Sequence, residues 1–113
     1  MQLFRLSDYH TTSPEGFTKR VFQQSPRGLA FTLNFEPGQT LPAHTHGESE
    51  LLLTVLEGTG EATVDAKKVP LAAGTVLHCD GPETLSMENT GAAILSVLVL
   101  LYPGEPRFGK DVR

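Results

Sequence analysis

Apolar and polar residues alternate in short runs along this chain, and no long segment carries the period of an amphipathic helix. Runs rich in Val, Leu, Thr and Phe are broken about every ten residues by glycine or proline, which is how strands are punctuated. The pattern predicts nine strands, at 19–23, 29–35, 41–46, 51–57, 60–64, 69–71, 75–79, 85–88 and 94–101. Asp65 and Ala66 fall between two of these runs and read as a hairpin tip, while the segments 36–39 (EPGQ) and 71–74 (LAAG) read as turns. Many short, evenly spaced strands in a small chain predict an all-β sandwich or barrel. Phe31, Leu33, Phe35, Leu53, Val55 and Met87 alternate with polar or smaller residues and are the expected core. The first dozen residues and the tail 104–113 are polar or interrupted by Pro and Gly, so both are expected outside a core spanning about 29–101.

Size and composition narrow the function classes. A chain of 113 residues is expected to form one domain around a single core. Its net charge is −4 and its nine Lys and Arg residues are scattered, so no basic stripe interleaved with aromatics points to nucleic acid. The one cysteine, Cys79, excludes an intrachain disulfide and is compatible with a reducing compartment, which makes a cytoplasmic location the default expectation. The longest apolar run, 92–102, is interrupted by Ser96 and is too short to cross a bilayer, so it reads as a buried strand with no membrane partner.

The candidate chemistry begins at His44 and His46. Residues two apart on a strand share a face, so the pair can present two imidazoles side by side, as a metal ion requires. With four histidines in the chain such a spacing arises by chance about once in ten, so the pair alone does not decide the matter. Its surroundings add weight: Gly38 and Pro42 precede it, Glu50 follows, and Val55-Leu56-Glu57-Gly58 closes the next strand.

This arrangement resembles the first motif of the cupin superfamily. The segment 69–91 (VPLAAGTVLHCDGPETLSMENTG), with Gly74, a Pro-containing loop and Asn89, resembles the second motif. The resemblance spans roughly 29–101 and implies a small double-stranded β-helix barrel. It also implies a divalent metal, with Zn, Fe, Mn and Ni not distinguished, and a homodimer.

Two positions depart from the motifs. The resemblance places a glutamate ligand at Leu51 and a third histidine at Leu85. Glu50 stands one residue early and points to the opposite face unless a β-bulge precedes Leu51. His78 shares a strand face with Val76, and because Leu77 and Cys79 make the more apolar face, His78 is expected outward; turned inward it would give a three-histidine set. The candidate metal ligands are therefore His44, His46, Glu50 and His78. Burying a leucine at a ligand position favours a dry wall by about 1.5–3 kcal/mol, so Leu51 and Leu85 are expected to make the cavity base apolar. Nothing in the context of His10 suggests a ligand, and Cys79 is expected to be a small buried hydrophobe.

Two readings of function follow. One is a metal-dependent cupin enzyme built on His44 and His46 with Glu50 or His78. The other is a non-catalytic cupin that binds a small molecule through the histidines and an apolar wall. A purely structural barrel is the third and plainest alternative.

Overall fold

The structure, a computed structural model, describes residues 1–104. Each of the nine predicted runs is a strand, with ends shifted by no more than two residues: β1 (Thr18–Ser25), β2 (Gly28–Phe35), β3 (Thr40–His44), β4 (Ser49–Glu57), β5 (Thr59–Val64), β6 (Lys67–Ala72), β7 (Val76–Cys79), β8 (Leu85–Glu88) and β9 (Leu95–Pro103). A 3-10 turn at Leu6–Tyr9 precedes them. All pairings are antiparallel. One sheet runs β1-β2-β9-β4-β7 and the other β3-β8-β5-β6. The hairpin tip is where the sequence puts it: Asp65 and Ala66 have φ of 48° and 69°, the two left-handed residues of a turn whose twist matches the flanking strands.

Alternation along the strands sorts the side chains. On β4, Leu51, Leu53 and Val55 are buried, while Glu50, Leu52 and Thr54 face the other way and are half-buried. All six residues expected in the core are buried, and the cluster joins both sheets, with Leu33, Leu53 and Val97 from one meeting Ala62, Leu85 and Met87 from the other.

The run Phe31–Phe35 of β2 is buried on both faces, which alternation alone does not predict. The cause is the N-terminal segment, which lies over the outer face of the five-stranded sheet. The Tyr9 carbonyl accepts hydrogen bonds from Thr32 Oγ1 (2.5 Å) and Asn34 Nδ2 (2.8 Å), and Ser96 Oγ donates to Asn34 Oδ1 (2.7 Å). A row of buried polar groups is thereby satisfied. Phe4, Tyr9 and Phe22 pack as an aromatic cluster beside it, with ring centroids 5.1–6.5 Å apart. None of the residues of the 3-10 turn is buried, so this segment covers the sheet without entering the inner core. The expectation for the tail falls mostly on residues 105–113, outside the described residues.

Candidate functional site

Between the sheets lies a cavity of about 310 Å³. Its base is hydrocarbon, formed by Phe31, Leu33, Leu51, Leu53, Leu85 and Val99, all buried. Its rim carries the polar groups His44, His46 and Lys19.

His44 ends β3 directly opposite Leu85 of β8, after a register shift between Leu41 and His44. Its Nδ1 lies 2.8 Å from the Pro42 carbonyl oxygen. A carbonyl only accepts, so Nδ1 carries the proton and Nε2 presents a lone pair, the way a backbone carbonyl orients many ligating histidines.

His46 was expected on the strand but lies just beyond it, in a turn that other backbone groups hold. Its N–H donates to the Gly81 carbonyl (2.9 Å) and its carbonyl accepts from the Ser49 N–H (3.0 Å). Gly81 approaches so closely that a Cβ there would stand 2.0 Å from the Gly47 carbonyl oxygen, so only glycine permits this packing. The two imidazoles still meet, edge to face, with centroids 4.7 Å apart and planes at 66°.

His46 Nδ1 is buried and has no hydrogen-bond partner among the described residues. Desolvation, and then the neighbouring His44, lower the pKa of His46 below its ordinary 6.5. The folded chain therefore binds this proton more weakly than the unfolded chain does. Stability is lost as the pH falls below 6.5, and the loss levels off once His46 protonates in the fold. Denaturation midpoints measured near about pH 7.5 and about pH 5.5 are expected to fall further for the parent chain than for His46→Gln, and an equal fall would contradict the lowered pKa.

The four candidate ligands do not converge. Glu50 and His78 come together, but on the outer face of the five-stranded sheet, with His78 Nε2 2.7 Å from Glu50 Oε1. No bulge turns Glu50 inward: Leu51 pairs with Cys79 and Leu52 with His78 in unbroken register, so Glu50 points away from the cavity that Leu51 lines. His78 likewise points outward while Cys79 is buried.

Asp80 joins the outer pair. It lies 3.9 Å from His78 Nε2, and one ligand atom from each of the three residues falls within 4.8 Å of the others. The sequence reading missed Asp80, although it stands two residues beyond His78 and so on the same face. Tyr102 pairs across from Glu50, and its phenol is pushed above its usual range by desolvation first and by the charges of Glu50 and Asp80 next.

The cavity thus offers two nitrogen donors. Leu51 (3% exposed) and Leu85 (0% exposed) occupy the positions where the resemblance put the other ligands. Three or four protein ligands are usual for a resident zinc ion, and this donor set does not fit one. Cys79 supplies no replacement. Burial, helped by the charges of Glu83, Asp65 and Asp80, pushes its thiol up to about 11, far from the thiolate range. His10 pairs with Glu57 at 2.5 Å, away from both groups.

Lys19 is the rim residue that the sequence reading overlooked. The available signal was its parity with Phe17, two residues earlier on the same side of the chain, which also lines the cavity.

Comparison with known proteins agrees with this architecture. The cupin domain family matches residues 31–101, well over half of the chain. The chain is 37% identical over 73 residues to a Thermotoga maritima protein named oxalate-binding protein, a match covering 61% of this chain and 60% of that protein's length. A Thermus thermophilus protein superposes with a TM-score of 0.86 at 26% identity, over 91% of this chain and 98% of its own. An RmlC-like cupin protein from Desulfovibrio desulfuricans superposes with a TM-score of 0.81 at 28% identity, over 91% and 97%. The two-sheet architecture, the placement of the motif residues and the family match together make this chain a member of the cupin family, with the all-β double-stranded β-helix fold.

Proposed function

We propose that the cavity is a small-molecule binding site whose polar anchors are His44 and His46, and that it binds its ligand without a resident metal and without turnover. The observation that carries this reading is the pairing of two rim imidazoles with a wall in which Leu51 and Leu85 replace the remaining donors. Apolar walls with a few placed polar groups are the usual make-up of a small-molecule site, and about 310 Å³ suits a fragment-sized ligand. The name of the Thermotoga maritima relative favours a small carboxylic acid over a neutral ligand.

Calorimetric titration of chelator-treated protein with a panel of small acids tests the reading. At least one acid is expected to bind the parent chain, its proton passing to His44 Nε2 so that the imidazolium donates to the carboxylate, and His44→Ala, His46→Ala is expected to weaken it by at least about tenfold, the scale of a lost charge-assisted hydrogen bond. Unchanged binding by the folded double variant, or binding that appears only after metal is added back, would oppose it.

A second reading concerns divalent cations, and the Glu50–His78–Asp80 grouping favours it. Any divalent cation the chain takes up is held there, on the outer face. Zinc uptake by equilibrium dialysis is then expected to fall in Glu50→Gln, His78→Ala and to persist in His44→Ala, His46→Ala; the reverse order would return the cation to the cavity.

A further inference from the structure

We propose that the ligand of the cavity is a monocarboxylic acid with an apolar body, and that Lys19 selects its carboxylate. This inference rests on the binding role assigned above and names the ligand class.

Lys19 projects from β1 to the cavity rim, where its Nζ stands 4.5 Å from the centroid of the Phe31 ring. The negative face of the ring attracts the ammonium and draws the exposed side chain toward the cavity mouth. Among the described residues no carboxylate forms an ion pair with Lys19, and neither Asp nor Glu lines the cavity. In a chain whose net charge is −4, a cation without an acidic partner at the mouth of a cavity calls for an anion from outside.

His46 lines the same rim, but its buried Nδ1 has no surface open to the cavity, so the charge that meets the acid at the mouth is that of Lys19.

The remaining wall decides what the rest of the ligand is. Below the rim lie Leu33, Leu53, Leu85 and Val99, with no further charged or hydrogen-bonding side chain. A second carboxylate carried far enough from the first to lie below the rim would stand against leucine, where burying an unpaired charge is strongly unfavourable, and a diacid as short as oxalate leaves the apolar wall unfilled. An acid with a hydrocarbon tail instead places its charge at the rim and its carbons against carbon.

The test is calorimetric titration of the chelator-treated full chain with hexanoate, hexan-1-ol and oxalate, using the parent chain, Lys19→Gln and Lys19→Arg. Hexanoate is expected to bind the parent at least about tenfold more tightly than either hexan-1-ol or oxalate. Lys19→Gln is expected to erase the preference for the acid while leaving hexan-1-ol unaffected, and Lys19→Arg to restore most of it. A parent chain that binds the acid and the alcohol alike, that prefers oxalate, or whose Lys19→Gln variant loses both six-carbon ligands equally overturns the proposal. If the six-carbon ligands bind alike and still need the histidines, the cavity role stands and only the ligand class falls. If none of the three binds, both fall.

Discussion

Replacing Leu51 with Glu and Leu85 with His is expected to raise zinc affinity in the cavity by roughly a thousandfold or more, equivalent to about 4 kcal/mol. Leu85 sits across from His44 on neighbouring strands, and Leu51 lines the same cavity from β4. The two substitutions turn two donors into four, the number that structural zinc sites use. Without metal the variant is expected to be less stable than the parent, because a carboxylate then sits where a leucine had been packed. Zinc should reverse the loss by binding the folded state alone. Competition against a chelator of known affinity gives the first quantity, and melting with and without zinc gives the second. A parent chain that matches the variant in cavity affinity would mean that the leucines are no obstacle to coordination.

Asn89→Leu is expected to destabilise the chain by about 2–4 kcal/mol, a large part of the stability of a typical small domain. Asn89 is 1% exposed. Its Nδ2 donates to the carbonyls of Phe35 and Ala93, each at 2.9 Å, and its Oδ1 accepts from the Gly91 N–H at 2.9 Å. One side chain therefore ties the end of β2 to the loop that leads into β9. Leucine has a similar size, so the substitution removes the three bonds without opening a large cavity, and it leaves the buried Phe35 carbonyl unsatisfied at about 1–3 kcal/mol, while the Ala93 carbonyl and the Gly91 N–H, which are less buried, lose about 1 kcal/mol each. Urea denaturation measures the effect. A loss under about 1 kcal/mol would show that water or backbone shifts satisfy those groups just as well.

Much of this fold was legible because strand alternation is a local property. The inward placement of Leu51 and Leu85 is what the resemblance implies, the outward placement of Glu50 and His78 follows from parity along β4 and β7, and the strands show both. Asn89 could be singled out from the second motif, although its three bonds could not, since Phe35 lies 54 residues away. What escaped was set by contacts between distant segments. His46 leaves the strand because Gly81 captures its N–H. Thr32 and Asn34 look like solvent-facing positions until the N-terminal segment brings the Tyr9 carbonyl over them. Lys19 looks like an ordinary exposed lysine until Phe31 of the next strand draws its ammonium to the cavity.

Which side of the five-stranded sheet holds a divalent cation is read directly by anomalous diffraction at the zinc edge from crystals soaked in zinc. Any peak is expected at the Glu50, His78 and Asp80 side chains, with none between His44 and His46. A strong peak between those two rings, completed by waters where Leu51 and Leu85 leave no donor, would contradict this placement.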